Sequence, residues 1–453
     1  MPDPHWQKSL EQILGPQNVR FEPDAIRQRA WVGPPPRALA TPDSREQVCE
    51  LLRMANADRL KVIPFGHGTK LLLGGVPQPV DFAISLERLN KICDYPANDL
   101  TISVEAGLPI RELESTLAGK GQMLPLDVPF ARQATVGGTI AANMNGPRRL
   151  GYGAWRDILL GVQFVTAEGK LAKGGGKVVK NVAGYDTPKL MIGALGSLGI
   201  LWELTFKVFP KPPASTTIAL HFRSGESASQ AALRILHSPL LPQALELMDA
   251  PAGALSNQPE LQLAPFTLLA GVAGSEEVLA RFEHGLPALV RADGLQHFEI
   301  LRGKREVELW NAIQELTPEF LAAHPRGIVV KASLPFSRLG DFICNARTTG
   351  EDHSLAHATL ARAGSGIVYA YLWPKSREQG DSTGERLRQA AERMIRETER
   401  RGGRAIVEWC PAELKSQMNL WGTLGDDIAS MRQLKAALDP QNILSPGRFY
   451  GGI

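Results

Sequence analysis

Lys177–Ile200 reads KVVKNVAGYDTPKLMIGALGSLGI and follows the triple glycine Gly174-Gly175-Gly176, so that seven glycines fall within 27 residues. Bare backbone at that density, set among lysines, one aspartate and an apolar run, needs a physical reason. A P-loop requires G-x-x-x-x-G-K-[ST], but Gly176-Lys177 is followed by Val178, and Leu171 stands where the first glycine belongs. A dinucleotide fingerprint requires G-x-G-x-x-G between strand and helix, whereas Gly193, Gly196 and Gly199 are spaced by three. A loose loop is the plain alternative. Against it, the stretch runs on into GILWELTFKVFP, where Ile200, Trp202, Leu204, Phe206 and Val208 alternate as in a strand. Glycines leading into a strand let the backbone pass close to another strand or to a flat ligand.

Composition bounds the rest. The 453 residues allow two or three domains, and 43% hydrophobic with 21% charged residues is an ordinary globular balance. A net charge of +3 gives no basic surface of the kind nucleic acid demands. Cys49, Cys93, Cys344 and Cys410 are far apart, with no C-x-x-C, so neither an iron–sulfur cluster, a structural zinc nor a disulfide framework is written here. The start, MPDPHWQKSLEQIL, lacks the apolar segment of a signal peptide, and Leu190–Trp202 is too short and glycine-rich to span a bilayer. The expected location is the cytoplasm.

Along the first half, short strands alternate with helices. In RALATPDSREQVCELLRMANADRLKVIPFG, Asp43 and Glu46 suit a capping box, and Val48, Leu51, Leu52 and Met54 form one apolar face. TISVEAG reads as a strand, with a helix following from Ile110 to Ala118, and DILLGVQFVTAEGKLA reads as a hairpin turned at Glu168-Gly169. Proline density jumps at Pro210–Ser215, which sets a domain boundary. Beyond it, helices such as GERLRQAAERMIRETERR, with Leu387, Ala391, Met394 and Ile395 on one face, lie among the strands TTIALHF, FTLLAGV, GIVVKASLP and GIVYAYLW. That mixture predicts an α+β domain on an antiparallel sheet. EDHSLAHATLARAGSG reads as a solvated helix edge, although His353 and His357, four apart, could meet a metal on a helix.

Three glycine-rich stretches precede the boundary in order: Pro64–Gly75 (PFGHGTKLLLGG), Gln133–Gly146 (QATVGGTIAANMNG) and the quoted one. The first can turn backbone N–H groups toward an anion, and the small residues of the second admit a flat ring. From about Arg37 to Pro210 this order resembles the FAD-binding domain of the vanillyl-alcohol oxidase/p-cresol methylhydroxylase family. Within the family, KNVAGYDTPKLMIGALGSLGILWE, GQMLPLDVP and the terminal LDPQNILSPGRF are most similar to the glycolate oxidase group of 2-hydroxyacid dehydrogenases.

The resemblance implies an α+β fold: an N-terminal helical segment (1–30), a two-subdomain FAD-binding domain (31–212), a substrate or cap domain (213–425) and a tail (426–453) docking on the FAD domain. It implies that Phe65, Gly66, His67, Gly68 and Thr69 meet the FAD pyrophosphate, and that Thr135, Gly137, Gly138 and Asn143 line the flavin and ribityl chain. Lys180, Asn181, Gly184, Tyr185 and Asp186 would hold the cofactor from the quoted stretch, and Gly196 to Ile200 would flank its adenosine. Relatives that attach the flavin covalently use His at the place of Thr69 or Cys near Gln133, so the FAD here is expected to be non-covalent. A 2-hydroxyacid needs a cation for its carboxylate and a base for its hydroxyl proton while C2 gives hydride to flavin N5. Arg326, Arg362 and Arg448 are the candidate cations. The paired-histidine H-x-G-D-G-N-like motif of metal-assisted relatives is missing, so no metal is expected. The group's architecture implies a second flavoprotein subunit and an iron–sulfur subunit as partners, with attachment at the inner membrane face through them. The alternative is an accessory subunit that binds FAD and relays electrons without turning over substrate.

Overall fold

A parallel β-α-β unit opens the first domain: strand Ala38–Ala40, helix Arg45–Ala57, strand Val62–Phe65. The structure is a computed structural model that describes residues 4–29, 31–177, 185–375 and 382–453. The helix starts one residue later than the sequence suggests. Ser44, not Asp43, is the N-cap: its Oγ accepts from Gln47 N at 3.4 Å, while Gln47 Oε1 accepts from Asp43 N at 2.8 Å. Val48, Leu51 and Leu52 are buried from this helix. The small sheet runs in the order Val19–Arg20, Ala38–Ala40, Phe82–Ser85, Val62–Phe65. Its Val62 edge is extended by the far end of the chain, since Val62 N donates to Ile443 O and Ser445 N donates to Val62 O, both at 2.8 Å.

The second sheet of this domain is antiparallel, in the order Ile92–Asp94, Thr101–Glu105, Ile200–Lys207, Leu159–Val165, Leu171–Gly175. The strand expected in GILWELTFKVFP lies at its centre, with Ile200, Leu204 and Phe206 buried as the alternation predicts. The hairpin turns at Gly169, whose φ of 71° lies in the left-handed region that glycine enters without strain.

The second domain is built on one antiparallel sheet of eight strands: Leu295–Leu301, Ala214–Phe222, Phe266–Gly274, Ala244–Asp249, Leu355–Arg362, Ile367–Pro374, Ile328–Ser333 and Arg404–Trp409. Helices Gly225–Leu236, Glu276–Leu289, Leu339–Asp352 and Ser382–Arg400 pack on one face, and Leu387, Ala391, Met394 and Ile395 are buried there. The opposite face carries Val329, Leu360, Tyr369, Tyr371 and Trp409, which belong to the same core as Val136 and Phe206 of the first domain. That shared core fixes the cap sheet against the first domain.

One expectation is overturned here. Leu355–Arg362 is not a solvated helix edge but the fifth strand of the sheet, paired on both sides. The helix before it ends at Asp352. With both sheet faces covered, the period-two signal is blunted, and the four-residue spacing of His353 and His357 has no helical meaning. Among the described residues no helix is long and apolar enough to cross a membrane.

Candidate functional site

The segments Pro64–Leu71, Thr135–Ala142 and Met191–Leu201 converge on one cleft with about 740 Å³ of empty space, part of it open to solvent. Phe65, Gly66, His67, Gly68, Thr69, Thr135, Gly137, Gly138, Gly196 and Ile200 all line it. The glycines divide by what surrounds them. A Cβ on Gly66 would strike the Thr135 side chain, one on Gly137 would lie 2.6 Å from Ala106 Cβ, and one on Gly196 would lie 2.6 Å from Pro64 Cγ. These glycines let the segments touch one another. Gly138 is different: only Thr135 Oγ1, at 3.0 Å, lies near its Cβ position, so its bare face borders open cleft. His67 ties the first two segments together through Nδ1 and Gln133 O at 2.7 Å.

Asn143, Tyr185 and Asp186, also expected to hold the cofactor, do not line the cleft. Asn143, with φ 49°, caps the turn after Thr135–Ala142 and its carbonyl accepts from Asn145 Nδ2 at 2.9 Å. Tyr185 is 97% exposed, and Asp186 pairs with Lys189. Lys180, Asn181 and Gly184 lie outside the described residues.

Arg448 lines the cleft, but its guanidinium is committed to backbone. Nη2 donates to Lys70 O at 2.6 Å, Nε to Leu73 O at 3.2 Å and Nη1 to Leu195 O at 3.4 Å. Burial lowers its pKa to about 10. The expectation that it receives a substrate carboxylate therefore gives way to a structural role, in which it fastens the chain's end to two of the cleft loops. Beside it, Ser445 Oγ is buried without a partner and lies 3.4 Å from where a Gly196 Cβ would be. An apolar-walled cleft with one glycine face left bare, small Ala141 and Ala142, and an unspent hydroxyl nearby fits a flat ring carried on a polar chain.

Across from the cleft, the cap sheet presents a row of charged and phenolic groups. In register, Glu246 faces Arg362, and Leu360, Tyr369 and Lys331 stand side by side on adjacent strands. Arg362 sits 5.2 Å from the Tyr369 ring, and its Nε and Nη1 are buried without hydrogen-bond partners. Burial opposes its charge, but Tyr369 and Glu246 outweigh that and hold its pKa above the usual arginine value. Glu246 is fully buried, both its oxygens lack partners, and burial pushes its pKa up to about 8. Lys331 is held charged by Glu408, 2.7 Å away, despite its burial. From the first domain, Arg149 joins the group; burial and, more weakly, the like charge of Arg362 lower its pKa. Cleft and row meet at Phe130, which packs against Trp409 at 5.5 Å and lies under Lys70 Nζ at 5.3 Å.

Of the three candidate cations, only Arg362 belongs to this row. Arg326 is half-buried in the turn before strand Ile328–Ser333. Glu246, Lys331, Tyr369 and Lys70 escaped the sequence reading, although each was signalled by a lone charge or hydroxyl in an otherwise apolar strand or loop. Among the described residues no group of three or more His, Cys, Asp and Glu side chains is placed to hold a metal.

Comparison with known proteins matches residues 36–175 to the family described as FAD binding domain and residues 211–449 to that described as FAD linked oxidases, C-terminal domain. The chain is 26% identical to glycolate oxidase subunit GlcD of Bacillus subtilis, over 98% of this chain and 96% of that protein. It is 36% identical to glycolate oxidase subunit GlcE of Escherichia coli over 42% of this chain and 54% of that one. The crystal structure of p-cresol methylhydroxylase with substrate bound superposes with a TM-score of 0.80, over 99% of this chain and 97% of that one; at 17% identity the likeness is one of fold.

Proposed function

Because the chain belongs to the FAD-linked oxidases, we propose that it is the flavin subunit of an enzyme that oxidises a small 2-hydroxyacid, glycolate or D-lactate, to the 2-oxoacid. FAD is the cofactor, and it supplies the two-electron acceptor for the alcohol. The observation that carries the substrate reading is Arg362: a half-buried side chain whose Nε and Nη1 are buried and unpartnered, on the sheet face turned to the cleft. Each is a free charged N–H donor for an anion's oxygen, although Nε and Nη1 lie on different sides of the guanidinium and do not form one fork. Lys331 and Arg149 make the surroundings cationic, and Trp409, Tyr371 and Phe130 exclude water. A carboxylate seated on Arg362 would leave the neighbouring hydroxyl-bearing carbon directed at the cleft, while Glu246 retains its proton at neutral pH.

Gly138, Ala141 and Ala142 would lie against the flavin, and the Gly66–Thr69 backbone would serve its diphosphate. Thr69 and Gln133 stand where a covalent link would form, so the flavin is held without one. Acid precipitation should release all of the yellow colour into the supernatant; flavin retained by the pellet refutes this.

The name subunit, shared by both glycolate oxidase relatives, fits a multi-subunit assembly. With no cysteine cluster of its own, the chain would pass electrons to a second flavoprotein and an iron–sulfur subunit, reaching the inner membrane face through them. Anaerobic mixing of the purified holoprotein with glycolate or D-lactate should bleach the flavin. Absence of bleaching with both, in protein that a chemical reductant does bleach, would favour an accessory electron relay instead.

A further inference from the structure

Among the described residues two buried lysines lack a carboxylate partner, Lys70 and Lys415; Lys415 donates to Gly74 O at 2.6 Å, and only Lys70 lines the cleft. Lys331 has Glu408 at 2.7 Å, and Lys435 has Asp439 at 2.6 Å together with the carbonyls of Ser197 and Leu444. Lys70, 7% exposed, makes one side-chain hydrogen bond among the described residues, to the neutral Thr69 Oγ1 at 3.2 Å. The acid that acts on it is Glu315 of the second domain, beyond ion-pair distance, whose Oε1 accepts from Ala131 N at 2.8 Å. Arg448 bonds the Lys70 backbone carbonyl and not its ammonium. Burial accordingly lowers the Lys70 pKa to about 7. A buried ammonium without an anion is costly, and this one lines the cofactor cleft. It lies over Phe130, which touches Trp409 of the cap sheet. That is the end of the cleft facing the substrate row, where the reacting ring belongs rather than the diphosphate.

Resting on the assignment of this cleft to FAD, we infer that Lys70 is the countercharge for the reduced flavin: its ammonium offsets the negative charge that the ring gains with two electrons, and so sets the midpoint potential. The electrons come from the alcohol and the ammonium proton from water. Because Lys70 both lines the cleft and changes charge near neutrality, the potential inherits its titration. Glu315 and Thr69 are the polar groups facing it, and the Phe130 ring beneath presents its π face to the ammonium.

The test uses reconstituted holoprotein equilibrated with a redox dye, with flavin absorbance as the readout. In Lys70→Met the ratio of reduced to oxidised flavin at fixed dye potential should fall at least tenfold, about 30 mV for a two-electron couple. Lys70→Arg should stay within threefold of wild type near pH 7 and lose the bend that wild type shows in potential against pH. An unchanged ratio in Lys70→Met overturns the inference, because it means that oxidised and reduced flavin are weakened alike, as a diphosphate contact would weaken them. If Lys70→Met does not take up FAD, the pH profile decides: a bend that persists in Lys70→Arg overturns it, and its loss supports it. Wild-type protein that binds no FAD in titration would instead refute the cofactor assignment, and does so before any variant is measured.

Discussion

Replacing Glu246 by Gln should make the protein's stability less sensitive to alkaline pH. Glu246 is fully buried, and burial raises its carboxyl from 4.5 to about 8, with Asp127 adding to the rise and Arg362 opposing it. A group whose pKa is raised on folding contributes stability that is complete below its unfolded pKa and is lost as pH climbs through its folded value. From pH 6 to 9 the loss spans two pH units, from 6 to 8, or about 2.7 kcal/mol at 1.36 kcal/mol per unit. A second domain of roughly 240 residues has an unfolding entropy of about 0.5 kcal/mol/K, so this amounts to about 5 °C in Tm. Glutamine keeps the shape and removes the proton equilibrium. Its own unbonded amide carries a cost, but one that does not vary with pH. The measurement is Tm of wild type and Glu246→Gln at pH 6 and pH 9, each in holo form. The gap between the two proteins should shift in favour of the variant by about 5 °C on going to pH 9. Parallel Tm–pH curves would show that Glu246 is ionised in the folded protein, and the account of the row around Arg362 would be wrong.

Arg362→Met removes a charge-assisted hydrogen bond to a carboxylate, about 1.5–3 kcal/mol, and should lower kcat/KM roughly 10–100-fold with the flavin spectrum intact. Arg362→Lys, which keeps the charge, should lose less; unaltered kinetics in the Met variant would remove Arg362 from substrate binding. Gly138→Val places its branch in open cleft, so FAD affinity should fall at least about tenfold while the apoprotein melts as wild type does. A flavin titration curve matching wild type would show that the ring lies elsewhere.

The first domain is largely legible in the sequence because its constraints are local. Glycines at Gly66, Gly137 and Gly196 are imposed by chain-to-chain approach, and such positions leave a fixed mark in sequence. The strand at Ile200–Lys207 and the hairpin at Gly169 are visible for the same reason. The second domain is legible as a class and not as a site. Its strand Leu355–Arg362 has neighbours on both sides and cover on both faces, so alternation fails, and the spacing of His353 and His357 imitates a helix. The register that sets Glu246 beside Arg362 joins residues more than a hundred positions apart, and no short-range pattern encodes it. Arg448 shows the converse error. Its place in a motif is plain from the sequence, but only the three carbonyls around it reveal that its donors are already spent.

The strand-like contact of Ile443–Ser445 with Val62 has a consequence for biosynthesis. The ribosome delivers the cleft's glycine loops by Leu201, yet the edge of their sheet and the Arg448 fastening come from Ile443–Arg448, beyond the second domain's sheet. A nascent chain that has completed its first domain still holds an unfinished cofactor site, with Lys70, Leu73 and Leu195 carbonyls lacking their donor. Folding of the cofactor cleft therefore waits on a segment made after the second domain, so the first domain alone should hold the flavin more weakly than the two domains together.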